Sequence, residues 1–152
     1  VGPKDRICKR SLTIDNGTFW KLKNLKSLYL DGNQLSSIPK GLPPNIVLLS
    51  LEINSIYSIL KENLTELVNI QALYLGQNCY FRNPCNTSYY IEKDAFVQLE
   101  KMVLLSLKSN NLSYIPHRLP PSLKEVYLYN NNIQSITNKD FYYLTELEIL
   151  DL

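Results

Sequence analysis

The 152-residue sequence has a single histidine and only five glycines, and both shortages argue against catalysis. It contains no glycine-rich phosphate loop and no nucleophile elbow, and the lone histidine, His117, lies in a proline-rich turn where a solvated role explains it best. The acidic pair Glu62 and Glu66 is explained as solvated surface. A structural zinc ion would require four soft ligands, and the sequence does not group four together. We therefore expect no enzyme activity, no cofactor and no metal site.

Long apolar segments are also missing. No run approaches the ~20 residues that cross a membrane, and Val1 does not begin a signal peptide. The formal net charge of +2 is too small to indicate a polyanionic partner by itself, although the first ten residues are locally basic. If the protein is secreted or membrane-anchored, we expect those segments to lie elsewhere.

What the sequence does contain is an internal repeat. The template Leu-x-x-Leu-x-Leu-x-x-Asn-x-Leu fits four segments, which begin at Leu25, Ile46, Met102 and Leu123. A fifth segment, from Ile70, departs only at its last position, and the final LEILDL is the first half of a sixth. The framework asparagines are spaced 21, 24, 32 and 21 residues apart, at Asn33, Asn54, Asn78, Asn110 and Asn131.

This pattern predicts an α/β leucine-rich repeat solenoid, a horseshoe segment with a parallel sheet on the concave side and irregular or short helical turns on the convex side. Each repeat contributes one strand with inward leucines, and the asparagine side chain bonds backbone amides of the turn that follows. We expect residues 1–152 to form one array of about five full repeats and a truncated sixth. Because the last strand breaks off at Leu152, we expect a fragment of a larger ectodomain.

Cysteines and glycosylation signals indicate the cellular compartment. Four Asn-X-Ser/Thr signals favour a protein of the secretory pathway, and they lie at Asn16, Asn63, Asn86 and Asn111. In that oxidising setting we expect Cys79 and Cys85 to form a local disulfide that closes an insertion at residues 79–85. Cys8 should join neither of them.

Strand alternation predicts which residues form the concave face. The residues that flank the inward leucines include Gly76, Lys108 and four tyrosines, which are Tyr29, Tyr74, Tyr127 and Tyr129. Two interpretations stay open at this point. The tyrosines either cover one another, as strand tyrosines commonly do, or stack on the bases of a nucleic acid at ~1–3 kcal/mol each, with cations near its phosphates.

The insertion that the cysteines close leaves the strand directly after Asn78, at the rim of the concave face. Its ring contains Tyr80, Phe81 and Arg82, and a constrained loop loses less entropy on binding than a free one. The ring is therefore either a binding element or a clip that stabilises the longest repeat.

Several segments resemble the first repeats of one family. NLKSLYLDGNQL, IPKGLPPNI, KENLTEL, LYLGQNCYFRNPC and SYYIEKDAF are similar to the endosomal, nucleic-acid-sensing branch of the Toll-like receptors, and the similarity covers essentially the whole chain. The resemblance implies a type I membrane receptor of endosomes and lysosomes that is reached through the endoplasmic reticulum. It also implies a homodimer formed around single-stranded RNA fragments and small guanosine-like ligands, and an adaptor recruited by a signalling domain outside this chain.

The resemblance also implies roles for particular residues. It places an RNA contact at Arg82 and short RNA on the concave face near Tyr29, Asp31, Glu52, Tyr74 and Lys108, with Tyr127 and Tyr129 further along. The guanosine-like ligand belongs to later repeats. Cys8 resembles a cysteine whose partner lies before Val1, and the signal at Asn86 departs from the family pattern.

Two other classes of leucine-rich repeat protein fit the fold. Extracellular-matrix proteoglycans, which bind proteins, also alternate proline-rich and longer repeats, but they place cysteines in terminal caps rather than within the array. Antigen receptors of jawless vertebrates have more uniform repeat lengths. A transmembrane helix and a signalling domain beyond Leu152 would favour the Toll-like receptor, and a short cysteine cap would favour the others.

Overall fold

The computed structural model describes residues 11–152, so Cys8 and the basic first ten residues lie outside the described part of the chain. Short parallel strands stack into one six-stranded sheet. The strands are β1 (Ser27–Tyr29), β2 (Leu48–Ser50), β4 (Ala72–Tyr74), β6 (Leu104–Ser106), β7 (Glu125–Tyr127) and β8 (Ile149–Asp151), in that spatial order. Two further strands, β3 (Ser58–Ile59) and β5 (Tyr90–Ile91), pair in parallel as a second sheet. The predicted leucine-rich repeat solenoid is confirmed.

The core consists of the inward leucines of each strand and the apolar residues of the returning segments. In the middle repeats Leu49, Leu73 and Leu105 are completely buried. They are neighbours in register, so one layer of leucine runs through the stacked repeats. A repeat exposes this layer on both sides when it stands alone, and therefore only stacking stabilises it.

The convex side is irregular, as predicted, and contains almost no helix. Within residues 11–152 the helical structure is one turn of 3-10 helix at Lys61–Asn63. The other returning segments are successive turns that bury Leu64, Phe96 and Leu144 against the core. The prolines that follow Leu42 and Leu119 stiffen an extended path, which shortens those two repeats to 21 residues.

The framework asparagines connect one repeat to the next. The side-chain oxygen of Asn54 accepts from the backbone N–H of Asn33 (3.0 Å) and Leu35 (2.9 Å) of the preceding repeat. Its amide nitrogen donates to the carbonyls of Leu30 and Glu52, both at 3.1 Å. One side chain therefore satisfies both donors and acceptors, but the N–H groups belong to the turn of the preceding repeat and not, as predicted, to the turn that follows its own strand.

The same arrangement continues along the array. Asn131 accepts from the N–H groups of Asn110 and Leu112, both at 2.9 Å, and Asn110 accepts from the N–H of Asn78 at 2.9 Å. Asn110 also donates to the Leu75 carbonyl at 2.9 Å and is fully buried. Because water does not reach these groups, each lost bond leaves a buried polar atom without a partner.

We expect Asn110→Ala to destabilise the ectodomain by about 1–3 kcal/mol, because it leaves the buried N–H of Asn78 without its acceptor and removes one of the two donors to the carbonyl of Leu75. Asn132→Ala is the matched control, since the Asn132 side chain is exposed, and it should change stability by less than about 0.5 kcal/mol. Chemical denaturation of the two variants measures the difference. Equal losses would contradict an essential role for the buried amide.

Candidate functional site

Tyrosine and serine alternate across the concave face. The register of the parallel strands places five side chains in one line, which we call the tyrosine row: Tyr29, Ser50, Tyr74, Ser106 and Tyr127. Because adjacent strands are about 4.8 Å apart, successive tyrosines in this row are separated by about 10 Å. None of these tyrosines makes a ring-to-ring contact with another in the part of the chain that the structure describes. The row therefore presents separated aromatic side chains and not a continuous stack.

A second line of residues, the charged row, runs beside the tyrosine row. The backbone hydrogen bonds between adjacent strands continue for two residues beyond the tyrosine row. They align five residues: Asp31, Glu52, Gly76, Lys108 and Tyr129. The Nζ of Lys108 lies 3.6 Å from a carboxylate oxygen of Glu52 and 6.0 Å from the centroid of the Tyr129 ring. Lys108 is therefore already paired with an anion in this structure.

Gly76 makes this pairing possible. Lys108 lies on the strand after Gly76 and Glu52 on the strand before it, so the lysine side chain must cross the glycine. A Cβ atom at Gly76 would lie only 2.6 Å from Cγ of Lys108. Sequence reasoning placed Gly76 on the concave face but gave it no role, although a glycine among charged and aromatic residues at the same repeat position was a usable signal.

The carboxylates of the charged row have different surroundings. Oδ1 of Asp31 accepts from Ser50 Oγ at 2.7 Å and from the backbone N–H of Glu52 at 2.8 Å. Burial raises the pKa of Glu52, Lys108 opposes that shift, and the nearby Asp31 adds to it. The Glu52 carboxyl therefore binds a proton more readily than an exposed glutamate does.

The surroundings of two tyrosines in the tyrosine row raise the pKa of their phenol groups. Tyr127 donates its hydroxyl hydrogen to Glu125 Oε1 at 2.7 Å, and this hydrogen bond is the main cause that raises the pKa of Tyr127. Burial is the main cause that raises the pKa of Tyr74, with a further contribution from Glu125. Both phenols therefore stay protonated and able to donate hydrogen bonds.

The insertion is a closed ring with a hairpin inside it. Cys79 and Cys85 are bonded, as predicted, with their Cα atoms 5.1 Å apart. Within the ring, Tyr80 and Asn83 exchange backbone hydrogen bonds of 3.1 and 3.0 Å, so Phe81 and Arg82 form the two-residue tip. Such a short closed hairpin holds its tip residues in one place.

Asn83 fastens this ring to the framework. Its side-chain amide is 1% exposed and donates to the carbonyls of Asn54 at 2.7 Å and Gln77 at 2.9 Å. Sequence reasoning did not single out Asn83, because its partners are backbone atoms of another repeat and of the strand before the ring. The contact supports the interpretation of the ring as a clip, and it leaves the tip free for a second role.

The tip faces solvent beside the concave surface. Phe81 is 77% exposed, and the Arg82 guanidinium carbon lies 5.4 Å from the centroid of its ring. The Tyr80 hydroxyl accepts from the side-chain amide of Gln77 at 3.4 Å, and Gln77 directly follows the charged row. The ring and the two rows thus border one another at the same end of the strands.

A groove separates the ring from the later asparagine turns. It has a volume of ≈ 440 Å³, with Tyr80, Phe81 and Pro84 on one side and Asn111 with residues 130–132 on the other. The Asn111 side chain is exposed, as are those of Asn16 and Asn86, whereas Asn63 is half-buried and its Oδ1 accepts from the N–H of Leu60 at 2.9 Å. Glycosylation at these four signals stays a prediction.

Two kinds of feature are absent from residues 11–152. The described chain has no group of three or more histidine, cysteine or acidic side chains arranged to hold a metal ion. No helix in it combines the length and apolar character needed to cross a membrane.

Comparison with known proteins finds similarity to Toll-like receptors. No family model matches the chain. Toll-like receptor 7 of Mus musculus is 59% identical over 152 residues, which is 100% of this chain and 14% of that protein. Toll-like receptor 8 of Homo sapiens is 44% identical over 146 residues (96% of the chain, 14% of that protein), and Toll-like receptor 9 of Sus scrofa is 37% identical over 141 residues (93% and 14%). The chain therefore spans about 14% of the length of each of these relatives.

The raised pKa of Glu52 predicts a pH dependence of stability. A group whose pKa is higher in the folded than in the unfolded protein stabilises the fold at pH values below its unfolded pKa, and this contribution is lost as the pH rises through the folded value. Glu52→Gln mimics the protonated form, so the variant should gain stability relative to the original protein between about pH 3.5 and about pH 7. Thermal unfolding at both pH values measures this gain. A relative loss at about pH 7 would show that the Lys108 pair outweighs burial.

Proposed function

Because the chain belongs to the Toll-like receptor family, which its identity to receptors 7, 8 and 9 over 93% or more of its length shows, we propose that it is part of a ligand-binding ectodomain that senses single-stranded RNA. The identity to Toll-like receptors and the disulfide-closed ring within the array support an innate immune receptor over a matrix proteoglycan, which shares the fold but places its cysteines in terminal caps. The observation that carries the RNA proposal is the exposed Arg82 at the tip of a closed ring that borders two rows of concave side chains.

The spacing of the tyrosine row suits unpaired bases. Two rings that hold a third planar ring between them must be about 7 Å apart, and the separation of about 10 Å between successive tyrosines leaves that room. Base stacking on aromatic side chains is tolerant of sequence, since every base has a π-face. The serines between the tyrosines, Ser50 and Ser106, are only 5% and 2% exposed, so a base that enters the row has to move aside the side chains that cover them.

The charged row suits the polar parts of the same strand of RNA. The carboxylates of Asp31 and Glu52 can accept hydrogen bonds from base amino groups or from a 2′-hydroxyl. Lys108 lies within the charged row and Arg82 at the tip of the ring beside it, and we assign phosphate contacts to both. Lys108 then exchanges its pair with Glu52 for a phosphate, which is favoured when Glu52 is protonated.

The remaining parts of the proposal concern the whole receptor. We propose that it is a membrane protein of endosomes and lysosomes whose ectodomain lies in the lumen and which reaches them through the endoplasmic reticulum. Binding of RNA fragments, together with a small guanosine-like ligand at a site outside this chain, would bring two receptors together. An adaptor would then bind a signalling domain that also lies outside this chain.

Changing Arg82 tests the RNA surface. Arg82→Ala in the full ectodomain should weaken binding of short single-stranded RNA by ~1–3 kcal/mol, because a charge and a planar stacking surface are lost together. Arg82→Lys should restore only the part due to charge, since lysine lacks the planar fork. Titration calorimetry with a short uridine-rich RNA measures both variants.

Guanosine provides the internal control, because its proposed site lies in later repeats and Arg82→Ala should leave its affinity unchanged. Unaltered RNA affinity in a folded Arg82→Ala ectodomain would assign the ring to a purely structural role. Equal weakening of RNA and guanosine would point to a general disturbance of the ectodomain.

A further inference from the structure

Two proline-rich convex segments of this chain share one plan but differ at two adjacent positions, where Lys40 and Gly41 of the first correspond to His117 and Arg118 of the second. Residues 38–44 read IPKGLPP and residues 115–121 read IPHRLPP, so Gly41 in the first corresponds to Arg118 in the second. Both residues have left-handed backbone, with φ of 70° at Gly41 and 55° at Arg118. Glycine adopts this conformation without steric penalty and arginine does not. The second segment thus keeps a long cationic side chain where the backbone favours glycine.

A second pair of equivalent positions, next to these segments, also has glycine in one repeat and a charged residue in the other. Gly17 and Asp94 each lie two residues before a phenylalanine of the preceding convex segment, and both are left-handed, with φ of 78° and 60°. Gly17 packs directly on Gly41, where an added Cβ would lie 2.5 Å from the Gly17 nitrogen. Asp94 instead places Oδ1 at 2.7 Å from Nδ1 of His117. The first proline-rich segment therefore has a tight contact between Gly17 and Gly41. The corresponding positions of the second segment carry the side chains of Asp94 and Arg118.

Arg118 lines a pocket on the convex side. The pocket has a volume of ≈ 510 Å³ and lies between residues 115–121 and the next convex segment, which contributes Lys139, Tyr142 and Tyr143. The Tyr143 hydroxyl accepts from the backbone N–H of Leu119 at 2.6 Å, which fixes that wall. The Tyr142 ring is 74% exposed and meets the Tyr143 ring edge-on, with centroids 5.6 Å apart.

The charges of this pocket are unbalanced. Arg118 and Lys139 carry permanent positive charge, and neither forms a salt bridge within residues 11–152. The carboxylate in the lining, Asp140, accepts from the backbone N–H of Thr137 at 2.6 Å, and Asp94 is occupied by His117. These hydrogen bonds do not remove the negative charge of the carboxylates, and the pKa of Asp94 is lowered by its hydrogen bond with His117 and also by the positive charge of Arg118. Within the lining, Arg118 and Lys139 face the single carboxylate of Asp140, so an excess of positive charge is available to a ligand.

From this combination we infer that the pocket binds a small planar anion, an aromatic ring that carries a phosphate, sulfate or carboxylate group. The guanidinium of Arg118 presents a planar set of donors that matches such an oxyanion, and Lys139 adds a second charge. Tyr142, Pro116 and Pro121 provide flat apolar surface for the ring. Ligand pockets usually measure about 300–1,000 Å³, and this one lies within that range. The site is separate from the concave rows and independent of the RNA proposal.

Phenyl phosphate is a suitable probe, and Arg118→Gly in the full ectodomain is the decisive variant. Glycine restores the residue found at Gly41, so the variant should fold and unfold at the same or a higher temperature. Its affinity for phenyl phosphate should nevertheless fall by about tenfold or more, because the oxyanion loses its charged hydrogen bonds. Lys124→Ala is the matched control, since it removes one exposed positive charge outside the pocket and should leave the affinity unchanged.

Two further probes separate the contributions of charge and ring. Inorganic phosphate and uncharged benzyl alcohol should each bind more weakly than phenyl phosphate. The inference is overturned if the original ectodomain fails to bind phenyl phosphate, if Arg118→Gly and Lys124→Ala weaken it equally, or if inorganic phosphate binds as tightly. The last result would mean that the aromatic wall takes no part.

Discussion

The buried asparagine amide is the interaction on which the rest of this structure depends. Each repeat turns sharply after its strand, and the turn leaves backbone N–H and C=O groups inside the array where water does not reach them. A carboxamide both donates and accepts, so one side chain serves the turn it belongs to and the turn before it. The leucine layer supplies the driving force for stacking, but leucine alone would tolerate sliding between repeats. The directional bonds of Asn54 and Asn131 set the register.

Fixed register turns a repeated sequence into a patterned surface. Because equivalent positions stand side by side, a residue choice made once per repeat becomes a line of side chains across the concave face. Alternating tyrosine and serine produces spaced rings. A single glycine, Gly76, produces a path along which Lys108 reaches two strands away. The residues that form one row of this surface therefore come from different repeats and lie 21 to 32 residues apart in the sequence.

The solenoid, its inward leucines, the bonding of backbone turns by asparagine and the disulfide could all be predicted from the sequence, because each follows from a pattern at a fixed interval or from the residue types themselves. The second sheet, β3 with β5, was not predicted, since the insertion places Tyr90–Ile91 much further after its framework asparagine than Ser58–Ile59 lies after its own, which hides their equivalence in the sequence. Asn83 and Arg118 were missed for a different reason. Their roles depend on what lies opposite them in space, and only a comparison between two folded repeats shows that Arg118 occupies a position suited to glycine.

The anchoring of the ring by Asn83 bears on how such an array can evolve. Repeats that present the same donors and acceptors on both sides can be duplicated, deleted or exchanged, because any neighbour completes the ladder. The repeat that carries the ring is different, since its Asn83 must find the carbonyl of Asn54 at a defined place on the preceding repeat. Unequal exchange at that junction would leave a buried amide without its acceptor. The repeat that carries the ring is therefore held at one position in the array, next to the repeat of Asn54, whereas the other repeats can exchange places.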